Sequence, residues 1–269
     1  MKNTQIVFDG SVAQNYDDLL GPFIFEPFAI KLVENIDSKH LHNVLEIACG
    51  TGRVTKHLRE VLPKNVNLTA TDLNAGMIAV AKQKVPLNNI IWNTADMLNL
   101  AYEDESFDLI VCQFGVMFAP DKDKAFAEMY RVLKKGGRLI FNTWTNIVNN
   151  KPFLLTNMVV NSFLGKEPVT IFKEGPFCMD NEQAVLQLLA DTEFTDYIVK
   201  TVNVFSSIES AEDAARGFIT GLPTLNIIKE RIPHLLPAII ETLQNEFISK
   251  LGNHPLQTWL SAWEFEAVK

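Results

Sequence analysis

Val44-Leu45-Glu46-Ile47-Ala48-Cys49-Gly50-Thr51-Gly52-Arg53 decides how the rest of the chain is read. A short apolar run, 43–48 (NVLEIA), has the length and composition of a buried strand, and a helical pattern follows over 53–62. Between them lies Gly-x-Gly. Glycines at such a junction let the backbone turn sharply and approach a ligand closely, because no Cβ intrudes. A pyrophosphate cradle would need a third glycine and a helix N-terminus open to the anion. Here position 55 is threonine, and the Glu46 carboxylate beside the loop would repel phosphate. Glu46 suits a ligand that carries an ammonium group.

Outward from this junction, strand-like and helical runs alternate. Strands are expected over 66–71 (VNLTAT), 90–94, 107–113 (FDLIVCQ) and 138–144 (RLIFNTW), with helices over 74–84 and about 121–134. The last of these is expected to end on Lys134-Lys135-Gly136-Gly137, where cations suit the helix C-terminus and glycine supplies a left-handed cap. This alternation implies parallel crossovers and helices on both faces of one sheet. The second strand ends in Thr71-Asp72-Leu73-Asn74. A carboxylate at the carboxyl end of that strand can accept hydrogen bonds from ribose hydroxyls. The alternative for Asp72 is a helix N-cap, a role for which Asn74 is an equally good candidate.

Ahead of this unit, 13–35 reads as two apolar-faced helices broken at Gly21-Pro22. Beyond it, 181–191 is helical and 196–205 strand-like. Two or three helices follow between 210 and 251, punctuated by Pro223, Pro233 and Pro237. Near the end, Trp263, Phe265 and Ala267 alternate with Glu264 and Glu266, the period of a strand. The chain is therefore expected to return to the sheet, which makes 206–255 a helical cap inserted over the strand ends. The other reading of that segment is a piece that completes the fold or forms a homodimer interface. Residues 1–269 are expected to make a single domain.

The chain resembles the Rossmann-like, class I methyltransferases that use S-adenosyl-L-methionine. Glu46-Ile-Ala48-Cys-Gly50-Thr-Gly52 matches their acidic-x-Gly-x-Gly-x-Gly motif, with Ala48 in place of the first glycine. Thr94-Ala95-Asp96-Met97 resembles their third-strand motif and 107–113 their fourth. Residues 133–140 resemble the helix–glycine–strand that follows. The set is similar to the ubiquinone/menaquinone-biosynthesis type of C-methyltransferase, and the likeness covers residues 8–145. It implies an α/β, doubly wound, mostly parallel seven-stranded sheet with an antiparallel last strand and the helical cap. It also implies residue roles. Gly50 and Gly52, with Ala48, pass the methionyl part of the cofactor, and Glu46 meets its amino group. Asp72 holds the ribose, Leu73 and Met77 pack near the adenine, and Asp96 and Met97 fix its edge and face. Gln113 sits beside the methionine moiety and the acceptor, while Tyr16 closes over the cofactor. S-adenosyl-L-homocysteine would be the product.

The expected reaction is methyl transfer to a carbon, oxygen or nitrogen of a small-molecule acceptor. Competing readings are a nicotinamide-dependent oxidoreductase and a non-catalytic cofactor-binding module. Phe114, Met117, Phe118 and His234 are the candidates for the acceptor side. No catalytic base stands out: His40 and His42 precede the first strand, at the wrong edge of the sheet, and His57 lies inside a helix. A net charge of −8 speaks against tracking a nucleic-acid backbone. The opening MKNTQIVFDG lacks the apolar run of a signal peptide, and the densest apolar stretch, 109–119, is too short to span a bilayer. Cys49, Cys112 and Cys178 form no metal-ligand or disulfide pattern, so no metal and a cytoplasmic setting are expected.

Overall fold

A computed structural model describes residues 15–269, and the start of the first expected helix, 13–14, lies outside the described residues. Seven strands form one sheet in the order β3-β2-β1-β4-β5-β7-β6. They are β1 (Asn43–Ile47), β2 (Asn67–Asp72), β3 (Ile90–Thr94), β4 (Phe107–Gln113), β5 (Leu133–Trp144), β6 (Thr195–Ile208) and β7 (Leu256–Val268). Neighbours from β3 to β5 pair in parallel, and β7 runs antiparallel to β5. The helices are α1 (Tyr16–Phe25), α2 (Glu26–Glu34), α3 (Arg53–Val61), α4 (Ala75–Lys84), α5 (Lys122–Val132), α6 (Lys151–Leu164), α7 (Ile171–Glu174), α8 (Glu182–Asp191), α9 (Ala211–Thr220), α10 (Thr224–Arg231) and α11 (Leu236–Leu251). Among the described residues no helix is long and apolar enough to cross a membrane.

The chain divides into two compact units. The larger holds Phe28–Asn146, Lys173–Asn203 and Ser261–Lys269, and the smaller holds α1 with Ile147–Phe172 and Val204–Leu260. In the larger unit the central strands are buried on both faces, as parallel strands covered by helices must be. Ile140 packs on one face with Leu32 of α2, Val54 and Leu58 of α3, Leu109 of β4 and Val44 of β1. Phe141, the next residue, packs on the other face against Phe126 of α5 (ring centroids 5.2 Å apart) and stacks on Phe265 (4.9 Å). In the smaller unit Phe218 of α9 is fully buried, its ring 5.0 Å from Phe153 of α6 and 5.8 Å from Phe247 of α11. A Cβ on Gly217 would stand 2.9 Å from Leu20 of α1, so α9 approaches α1 closely there. The 206–255 helices thus share their core with α1 and α6.

Two expected boundaries are corrected. Gly21-Pro22 does not break the N-terminal helices. α1 is wound as a π-helix through Pro22 and runs straight into α2, with the Glu26 amide donating to the Gly21 carbonyl five residues back. The wider spacing accommodates a residue that has no amide hydrogen to give. Lys134-Lys135-Gly136-Gly137 is not a helix end either, since α5 stops at Val132 and β5 already pairs at Leu133. The Lys134 ammonium lies 2.7 Å from Asp108, and Gly136 and Gly137 exchange backbone hydrogen bonds with Lys269. Ladder and ion-pair contacts override the local preference for a cap.

Candidate cofactor site

Past β1 the backbone enters the left-handed region three times, at Ala48 (φ 55°), Gly50 (φ 55°) and Gly52 (φ 85°), the last immediately preceding α3. Two of the three positions are glycine, which adopts this conformation freely, and Ala48 bears a cost there of about 1–2 kcal/mol. The loop hangs on the end of β2. The Cys49 amide donates to the Thr71 carbonyl (2.9 Å), and the Thr71 hydroxyl donates to the Glu46 carbonyl (2.9 Å). Asp72 joins the two loops: one carboxyl oxygen accepts from the Gly50 amide (2.9 Å) and the other from the Asn74 amide (2.8 Å). Asn74 is the N-cap of α4, its side chain accepting from the Gly76 amide.

The glycines divide the work. Among the described residues a Cβ on Gly50 would meet nothing within 4 Å, which leaves its outer side open to them. A Cβ on Gly52 would stand 3.0 Å from Val85, 3.1 Å from Ala81 and 3.3 Å from Trp92, which makes it the packing glycine of the pair. Glu46 is 2 % exposed, and among the described residues its Oε2 has no hydrogen-bond partner. Burial pushes its carboxyl up to about 8, the nearby Asp72 adds to the rise, and the amide and hydroxyl of Thr55 oppose it. Burial likewise raises Asp72, against the pull of the two amides it accepts from. A buried carboxyl with an orphaned oxygen is stabilised by a cationic partner.

The third strand's end is tied to the same edge, where the Ala95 amide donates to the Asp72 carbonyl (3.0 Å). Asp96 is exposed and turns its carboxylate onto the Leu98 amide (2.9 Å), with Met97 half-buried beside it. The connection to β4 is clamped by Arg131 of α5. Its guanidinium donates to the carbonyls of Leu100 (2.9 Å) and Tyr102 (2.8 Å) and pairs with Asp104 and Glu128. Leu73, directly after Asp72, is 60 % exposed, while Met77 is buried. Gln113 ends β4, half-buried. Of the residues expected on the acceptor side, Phe114 and Met117 are buried and Phe118 is exposed. Tyr16 and His234 belong to the smaller unit, where Tyr16 packs on Phe25 (4.8 Å) and His234 is exposed in a short turn. Sequence reasoning missed Thr55, Gly115, Asn142 and Trp144. No linear pattern marks Asn142 and Trp144, which lie beside the end of β4 only through β5, and Gly115 meets Ala48 only once β4 pairs with β1.

The methyltransferase domain family matches residues 45–141, from β1 into β5. Residues 45–141 resemble a methyltransferase domain. The chain is 34% identical over 146 residues to the ubiquinone/menaquinone biosynthesis C-methyltransferase UbiE of Saccharophagus degradans, a match covering 52% of this chain and 59% of that protein. The chain thus spans about three fifths of that relative's length. Among solved structures it is similar to the YcgJ protein of Bacillus subtilis, with TM-score 0.59 and 20% identity over 90% of this chain and 98% of that one. It is also similar to phosphoethanolamine N-methyltransferase 2 of Haemonchus contortus, solved with S-adenosyl-L-methionine. There the TM-score is 0.60 and the identity 17%, over 99% of this chain and 58% of that one. At these identities the structures establish the class I methyltransferase fold.

Proposed function

We propose that the chain transfers the methyl group of S-adenosyl-L-methionine to a carbon, oxygen or nitrogen of a small-molecule acceptor and releases S-adenosyl-L-homocysteine. The observation that carries this is the orphaned, buried Glu46 carboxyl beside the open side of Gly50. A cationic amino acid moiety fits that pair and a pyrophosphate does not. Glu46 takes the ammonium, and the Gly50 backbone lies against the methionyl chain. Asp72, already held by two amides, retains lone pairs for the ribose hydroxyls. Exposed Leu73 and half-buried Met97 offer apolar surface to the adenine, with buried Met77 behind them, and Asp96 takes its amino edge. When bound, the cofactor supplies an electrophilic methyl group on a positively charged sulfur.

The remaining work is positioning and exclusion of water, which can supply up to about 7–11 kcal/mol through near-attack geometry. Gln113 and Phe118 flank the acceptor side, and the 206–255 helices select the acceptor. The acidic balance favours a small molecule over nucleic acid. Titration with S-adenosyl-L-methionine and, separately, with NAD tests the cofactor, and an acceptor screen for S-adenosyl-L-homocysteine release tests the reaction. Binding of NAD alone would overturn the proposal.

A further inference from the structure

We infer that Phe114 is a positioning residue: its left-handed turn, held by Trp144 and Asn142, seats Gly115 on Ala48 and fixes the glycine loop against the end of β4. The inference deepens the methyltransferase reading of that loop and rests on it. Phe114 has φ 50°, a conformation that bulky residues avoid. Such a turn persists only where its surroundings over-determine it, and here they do. The Phe114 amide donates to the Asn142 side-chain oxygen (3.0 Å) and lies 3.3 Å from the Asn142 carbonyl. The Phe114 ring stacks on Trp144 with centroids 4.0 Å apart and planes 7° from parallel. Phe28 meets both rings edge-on, each at 5.3 Å. Asn142 and Trp144 are two residues apart on β5, hence on one side of the strand, and both are buried.

The turn has one consequence for the site. It places Gly115 against the glycine loop, where a Cβ on Gly115 would run into the Cβ of Ala48 and lie 2.9 Å from the Cys112 sulfur. Two left-handed residues, Ala48 and Phe114, are thereby locked together across a missing side chain. Gln113, one residue before the turn, leaves β4 at the edge where Asp72 ends β2, because these strands run parallel. A glycine at 114 would adopt the turn as readily, but would also leave it readily, having no ring to stack.

The test uses the full chain with Phe114→Gly, Phe114→Leu, Trp144→Leu and the conservative Trp144→Phe. Melting curves establish folding, S-adenosyl-L-homocysteine titration gives affinity, and amide hydrogen exchange is followed at Cys49 and Gly50. Phe114→Gly and Trp144→Leu are expected to raise the dissociation constant about tenfold, a change of ~1.4 kcal/mol. Exchange at Cys49 and Gly50 should speed up while the amides pairing β2 with β3 keep wild-type protection, and Trp144→Phe should restore both readings. If Phe114→Gly does not fold, Phe114→Leu decides by the same measurements. Folded variants with a lowered Tm but wild-type affinity and wild-type loop exchange would make Phe114 a packing residue only and end the inference. Failure of the wild type to bind would instead overturn the cofactor reading, and the exchange measurement would still judge the lock.

Discussion

Gly115 stands where the methyl group of Ala48 leaves no room for a side chain, although the two residues are 67 positions apart in sequence. The family motif has glycine where this chain has Ala48, so the extra methyl at 48 is matched by the absence of one at 115.

The pair makes a double-mutant prediction. Gly115→Ala should lower stability by about 1–3 kcal/mol through overpacking. Ala48→Gly alone should stay within about 1 kcal/mol of wild type, because relief of the left-handed strain offsets glycine's backbone entropy. Together the two should be less harmful than their sum, with a coupling of about 0.5–3 kcal/mol by urea denaturation. Strict additivity would mean the two sites do not touch.

At Gly50 the expectation separates folding from binding. Gly50→Ala introduces a methyl group into open space at a positive φ, so the fold should survive with a loss of about 1–2 kcal/mol. Cofactor affinity should fall much further than the Tm implies, because the methyl fills the space reserved for the ligand. Unchanged affinity for S-adenosyl-L-homocysteine in a calorimetric titration would show that the ligand does not pass this side of the loop.

Asp72→Ala removes a carboxylate that ties the loops and that the proposed function assigns to the ribose. Affinity should weaken by about 1.5–3 kcal/mol, and the melting temperature should fall because the Gly50 and Asn74 amides lose their acceptor. An unaltered dissociation constant would remove Asp72 from the cofactor site.

Glu46 predicts a pH dependence with a definite sign. Its carboxyl sits at about 8 in the folded chain against an ordinary 4.5. Between those values the folded protein holds a proton that the unfolded chain has released, so stability of the free protein should decline as pH rises through that window. Burial shifts Asp72 in the same direction, so its contribution has the same sign above its ordinary 3.8. A bound ammonium reverses the preference, so binding should expel a proton and tighten as pH climbs towards 8. Glu46→Gln should flatten both profiles, measured as Tm against pH and as binding heats in buffers of different ionisation enthalpy. A profile that keeps its slope in the variant would assign the titration elsewhere.

Phe218→Ala tests whether the smaller unit contributes to cofactor affinity. The ring is fully buried among Phe23, Phe153 and Phe247, and its loss should cost about 3–5 kcal/mol. At temperatures where the variant is still folded, S-adenosyl-L-homocysteine should bind within about threefold of wild type, or ~0.65 kcal/mol. Acceptor methylation is expected to suffer more. A large loss of cofactor affinity would place part of that site in the smaller unit.

Much of the larger unit could be read from the chain because its signals are local. β1, β3 and β4 are short apolar runs ended by polar or glycine residues, and α3, α4 and α8 begin where the pattern changes period. α6 was not legible: Lys-Pro-Phe-Leu-Leu-Thr-Asn-Met-Val-Val-Asn-Ser-Phe-Leu is rich in β-branched residues and asparagine, and its helix is set by burial of Phe153, Leu155 and Val159. The π winding across Pro22 follows instead from a local cause, the missing amide, while the strand start at Leu133 is decided by pairing with Phe107, distant in sequence. At the site, the acids and glycines were visible as a motif. Asn142, Trp144 and Gly115 became visible only when β5 lay beside β4 and the left-handed turn at Phe114 brought Gly115 to Ala48.

The Arg131 clamp bears on how fast a ligand can arrive. Leu100, Tyr102 and Asp104 are held from α5 by protein contacts alone, so the link from the Asp96 turn to β4 needs no ordering during an encounter. Association slows when a loop must find its shape, and a ligand that meets a finished surface avoids that delay. Capture on this side should therefore follow a single concentration-dependent phase in stopped-flow mixing. Replacing Arg131 should introduce a slower, concentration-independent phase while the final complex keeps the same contacts.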